Sequence, residues 1–153
     1  MNTAAALVGW IMLTFGAAMT GLFIQPAGYY AALAKPVWSP PAWVFGPAWT
    51  ILYTLMGVAA WLVWRCGGWR QQRGPLSLYL LQLALNALWT PLFFGLRNPG
   101  LACAEIILLW LAIGLTLRAF FRTSCAAGCL LVPYWLWVTF AAVLNFSIWR
   151  MQG

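Results

Sequence analysis

Hydrophobic and polar positions divide the chain into five long apolar runs, 4–25, 43–64, 76–96, 100–121 and 127–149. Each can cross a hydrocarbon layer of about 30 Å as an α-helix, which needs roughly 20 residues at about 1.5 Å each. The runs are continuous rather than alternating, and about twice as long as a barrel strand, so helices are expected and a β-barrel is not. Only the fourth run carries charge, Glu105 and Arg118. The first has no basic stretch before it and no clear cleavage site, so it reads as a helix rather than a signal peptide. Asn98-Pro99 supplies an N-cap and a first-turn proline for the fourth helix, and Gly67-Gly68 ends the second. No internal repeat is visible. The expected fold is all-α: one transmembrane domain over 1–153, a polytopic five-helix bundle.

One connection differs from the rest. Residues 26–42, PAGYYAALAKPVWSPPA, hold four prolines among aromatic residues. Proline restricts the chain at modest entropic cost. The segment therefore reads as a stiff lid over one end of the bundle, or as an interfacial anchor placing Tyr29, Tyr30, Trp38 and Trp43 at headgroup level.

Composition agrees with the pattern. Of 153 residues, 65% are hydrophobic and 6% charged, against about 25% charged in a soluble domain. A globular surface cannot be covered with so few polar groups. The net charge of +7 comes from scattered loop residues, which fits a membrane flank and argues against nucleic acid. Arg65, Arg70, Arg73, Arg118 and Arg122 share the N-terminal side, and Lys35, Arg97 and Arg150 the other. Five against three places the N-terminus inside and the lid outside. With no His and no Asp, and Glu105 as the only acid, triads, carboxylate pairs, His-ligated haem and common zinc sets are absent. No metal site is expected. Cys66, Cys103, Cys125 and Cys129 form no C-x-x-C pair and read as small packing residues.

The polar and aromatic residues inside the spans fall on faces. Gln82, Asn86 and Trp89 recur at helical spacing, and a carboxamide in hydrocarbon should face the bundle interior. Pro91 follows and predicts a kink. In the fifth span Pro133 precedes Trp137, Ala141 and Asn145 at steps of four, with Tyr134 on the same face. The second span offers Trp49, Tyr53, Met56, Gly57 and Ala60. These faces can line one apolar, flat-walled pocket for a large planar ligand, or they can be core aromatics and amide glue between helices. Glu105, near the start of its helix, suits the helix dipole, a pair with Arg97 or a reach to the headgroups. Ala17 and Gly21 form a small-x-x-x-small pair for close helix approach, within the chain or in a dimer.

The runs YYAALAKPVWSPPAWVFGPAWTILYTLMG (29–57), QLALNALWTPLFFG (82–95) and LLVPYWLWVTFAAVLNFSIWR (130–150) closely resemble the translocator protein, or tryptophan-rich sensory protein (TspO/MBR), family, also known as peripheral-type benzodiazepine receptors. The short tails suggest a bacterial member in a bacterial cell membrane. The resemblance implies a homodimeric five-helix receptor or sensor, with no required cofactor, that binds tetrapyrroles such as protoporphyrin IX and haem between its helices. It implies ligand contacts from Tyr30 on the lid, Trp49 and Tyr53, Asn86 and Trp89, and Trp137 and Ala141. It further implies light-dependent porphyrin degradation, with Trp49 and Trp137 as the photochemically catalytic indoles. The family's sterol motif has Phe146 in place of its Tyr, which disfavours sterol among the membrane lipids as a partner. The alternative function is a transporter of porphyrins or other small amphipathic metabolites. No inverted repeat or carboxylate pair supports that alternative.

Overall fold

The computed structural model describes residues 2–24 and 27–153; Gln25, at the end of the first expected span, and Pro26, the first residue of the expected lid, lie outside them. The five spans are α1 (Thr3–Phe23), α3 (Phe45–Arg65, led by a short 3-10 turn at Ala42–Val44), α5 (Arg73–Thr90), α6 (Pro99–Thr123) and α7 (Cys125–Met151). All are long and apolar enough to cross a membrane, and the chain is an integral membrane protein. Two short helices lie between spans, α2 (Ala27–Ala32) in the lid and α4 (Gly68–Gln71) between α3 and α5.

The boundaries follow local chemistry. The Asn2 side chain accepts from the Ala4 amide, Asn98 from the Leu101 amide, and Ser124 from the Ala127 amide, each satisfying a donor that the first turn leaves free. Pro99 sits in the first turn of α6, where no amide proton is needed. After α3, Gly67 and Gly68 adopt φ of 134° and 67°, a left-handed turn that favours glycine. The expected kink at Pro91 takes a definite form: Pro91–Gly95 is a π-helical turn continuing α5.

The helices pack in the ring α1–α3–α7–α6–α5, closed by α1 against α5. Spatial order thus departs from chain order, because α7 inserts between α3 and α6. The ring is filled at the end that holds the N-terminus. There Ala59, Ala60, Val63, Leu76, Ile113 and Ala127 are all inaccessible. Tyr79 stacks on Phe120 at 5.8 Å and shares a hydrogen bond with Thr14 across to α1. A Cβ on Gly57 would stand 2.8 Å from the Ile11 backbone, so α1 and α3 touch there.

Within the chain the close helix approach is made at Gly57 and not at Gly21, whose Cβ position is open; a contact between two chains is the other reading of that pair. Two expectations are corrected. Cys66, Cys125 and Cys129 are exposed, and only Cys103 packs inside; the other three sit at helix ends, where little covers them. Glu105 neither reaches the headgroups nor meets Arg97. It is buried with both carboxyl oxygens unpartnered, while the Arg97 guanidinium lies 5.5 Å from the Tyr29 ring centroid.

Candidate ligand-binding cavity

At the other end of the ring, beneath the lid, the helices enclose a cavity of about 520 Å³. Tyr30, Trp49, Tyr53, Asn86, Trp89, Trp137 and Ala141 all line it, so the residues the family resemblance pointed to reach one space, whereas Met56, Gly57 and Ala60 of the same α3 face do not. Asn145 lines it too. Gln82 and Tyr134 lie on the same faces but sit behind the wall, fully buried.

The walls are aromatic faces held by one another. Trp49 stacks on Tyr53 at 5.2 Å and meets Trp137 edge-on at 6.4 Å. Trp137 meets Phe45 at 6.0 Å, and Phe45 meets Tyr30 of the lid at 5.8 Å, again on edge. On the opposite side Trp89 stacks on Phe93 at 4.9 Å. Edge-to-face and offset pairs are the favoured arrangements for such rings.

Behind the aromatics runs a polar chain. The Tyr53 hydroxyl donates to Asn86 Oδ1 (2.7 Å), Asn86 Nδ2 donates to the Tyr134 hydroxyl (3.0 Å), and that hydroxyl donates to Gln82 Oε1 (2.9 Å). A second tie joins Trp89 Nε1 to Asn145 Oδ1 (3.0 Å) and Asn145 Nδ2 to the Pro99 carbonyl (2.8 Å). The amides therefore do both things the sequence allowed: they line the cavity and they bind α3, α5, α6 and α7 together. Most of their bonds are made inside the wall, where Gln82 Nε2 stays buried without a partner, so a ligand is met mostly by apolar surface. The Tyr30 hydroxyl is the exception, buried and without a partner. Burial pushes its phenol above the ordinary value, so at neutral pH it is a donor.

The lid is fixed from three directions. Lys35 Nζ donates to the carbonyls of Tyr30 (2.6 Å), Leu33 (3.2 Å) and Ala31 (3.4 Å), and lies 4.8 Å from the Tyr30 ring centroid. Gln152 Nε2, past the end of α7, donates to the Ala34 carbonyl at 3.0 Å. Trp38 packs edge-on against Phe140. The two readings of this loop divide its residues: Tyr30 turns inward, whereas Trp43 is 75% exposed and free to act as an anchor.

Several lining residues had not been singled out. Phe45 and Phe93 extend the stripes through Trp49 and Trp89 by one step of four, a signal present in the sequence. Phe15, Ala18 and Leu22 of α1 also line the cavity, and nothing in their spacing announces it.

Residues 4–150 match the TspO/MBR family. The chain is 43% identical over 153 residues to a tryptophan-rich sensory protein of Cereibacter sphaeroides, covering 99% of this chain and 95% of the relative. It is 42% identical over 153 residues to tryptophan-rich protein TspO of Chlorobaculum tepidum, covering 98% and 96%. To the human translocator protein it is 44% identical over 124 residues, covering 80% of this chain and 73% of that one.

Proposed function

We propose, because the chain belongs to the TspO/MBR family, that its cavity binds a flat hydrophobic tetrapyrrole beneath the lid and that the protein acts as a membrane receptor or sensor for it. The observation that carries this reading is the cavity itself: about 520 Å³, walled by ring faces, with its amides already engaged. Ligand sites of roughly 300–1,000 Å³ with few free polar groups suit large apolar molecules. An ion would find no unpaired carboxylate or carbonyl cluster among the lining side chains.

Within tetrapyrroles the cavity suits the metal-free ring, protoporphyrin IX, better than haem. Among the described residues no imidazole, thiol or thioether lines it, so haem iron would find only oxygen donors there. Tyr30 Oη is placed to donate to an acceptor on the ligand's edge. Trp49 and Trp137, meeting edge-on in the wall, are the electron-rich groups that would quench a photoexcited ring. In light, with dioxygen as oxidant, these indoles would promote oxidative degradation of the bound porphyrin.

An absorbance and fluorescence titration with protoporphyrin IX, in darkness and then in light, tests both steps. Micromolar binding in the dark, about −8 kcal/mol, with loss of the porphyrin bands in light only when protein is present, is the expected result. Porphyrin fluorescence unchanged by protein would overturn the binding reading. Transport is the second reading, favoured only by the π-helical turn at Pro91–Gly95 and by Pro133 inside α7. Dark flux of porphyrin into sealed liposomes would establish it.

A further inference from the structure

We propose that the end of the bundle opposite the lid carries a binding site for the phosphodiester headgroup of an anionic membrane lipid, formed by Arg65, Arg73 and Arg122 around Gln72. The Gln72 side chain joins three helices there. Its Nε2 donates to the Cys66 carbonyl at the end of α3 (3.1 Å), and its Oε1 accepts from Thr123 Oγ1 at the end of α6 (3.2 Å). Gln72 itself leads into α5. Each joined residue is the chain neighbour of an arginine: Cys66 of Arg65, Gln72 of Arg73, Thr123 of Arg122. The hydrogen bonds therefore gather three cationic positions on one small surface, and all three residues are exposed.

Nothing in the chain neutralises them. The only acidic side chain, Glu105, is buried and unpartnered in the span of α6. At the lid end Lys35 is held by three carbonyls and Arg97 lies over the Tyr29 ring; at this end Arg65 lies over the Trp61 ring at 4.7 Å, which fixes its position and leaves its charge in place. Like charges held together repel, and an anion between them removes that cost. The depth is right for a headgroup, because these residues stand at the ends of membrane-long helices. Trp69, 42% exposed on α4 beside them, is the residue type that settles at the headgroup level. Guanidinium is the cation best shaped for a phosphate.

The test uses the full chain in phosphatidylcholine nanodiscs with and without phosphatidylglycerol, reading retained lipid by native mass spectrometry. Wild type is expected to keep phosphatidylglycerol in preference to phosphatidylcholine. Arg73→Gln with Arg122→Gln should cut that preference about thirtyfold, as expected for removing two interfacial cations. Arg97→Gln with Arg150→Gln, at the lid end, should leave it unchanged. Arg73→Lys with Arg122→Lys, which keeps both charges, should retain most of it and guards against a folding defect in the Gln pair. Inorganic phosphate added to phosphatidylcholine discs should not raise the melting temperature as phosphatidylglycerol does. No preference in wild type, equal loss from the lid-end pair, or equal stabilisation by free phosphate would each overturn the proposal.

Discussion

The two ends of the bundle are built from the same kinds of residue, yet one is filled and the other hollow. In the filled end an aromatic ring lies flat on its neighbour, as Tyr79 does on Phe120 at an interplanar angle of 20°, and alanines and Val63 let the backbones close in. In the hollow end the stacked pairs, Trp49 on Tyr53 and Trp89 on Phe93, lie along single helices. The rings that meet there from different elements stand on edge, Trp49 to Trp137 at 84° and Tyr30 to Phe45 at 83°, as Trp10 also does to Tyr79 at the filled end. A ring on edge is a strut: it keeps two walls apart where a flat ring would let them meet. The polar chain from Tyr53 to Gln82 then ties the walls from behind. The hollow is therefore a braced structure and not a packing fault, and it should survive without ligand.

Substitutions can break that contrast in graded steps. The largest effect is expected in the filled end, where Leu76→Ala removes an inaccessible side chain from rigid surroundings; unfolding in a denaturing detergent should show a loss of about 3 kcal/mol with porphyrin affinity unchanged. Asn86→Leu comes next. It strips Tyr53 of its acceptor and Tyr134 of a donor, for about 1–2 kcal/mol of stability. Unlike the first variant, it should also weaken binding, because the wall loses its tie. Trp137→Phe should leave stability within about 0.5 kcal/mol, since the residue is only half-buried. Its expected effect is on function, with the photodegradation rate falling more than the dark affinity. Equal losses in both would reduce Trp137 to a contact. Gln152→Ala, which frees the lid from the end of α7, should cost only a few tenths of a kcal/mol yet speed ligand release and hydrogen exchange at 28–34. The smallest effect is predicted for pH. The Tyr30 phenol is raised above its ordinary 10.0 by burial. Its contribution is fully present below that value and is lost only as pH rises past it. Binding that changed between pH 6 and 9 would show another group at work.

Much of this was legible in the sequence, for identifiable reasons. The spans were visible because bilayer thickness fixes their length, and their ends moved by only a few residues, as where Arg73 opens α5 ahead of the expected start at 76. The cavity faces were visible because Trp, Tyr and Asn at steps of three or four stand out in hydrocarbon. Whether those residues were wall or glue was not legible, since the answer depends on partners from other helices, and Asn86 proved to be both. The six-residue α2 was hidden among prolines. Pro91 announced a break without saying that the helix would widen rather than bend. Phe15 and Leu22 were hidden because a lipid-facing helix such as α1 is apolar all round and marks no inner side. Of the readings offered for Glu105, the pair with Arg97 failed because that guanidinium had turned to Tyr29, a partner outside any helical spacing.

The ring order has a consequence for biogenesis. Because α7 closes the ring between α3 and α6, and brings Trp137, Ala141 and Asn145 with it, the cavity is unfinished until α7 leaves the ribosome. A nascent chain with four helices inserted has half a vestibule exposed to lipid tails. The cavity is thereby deferred until α7 has inserted, and chains arrested earlier lack that wall.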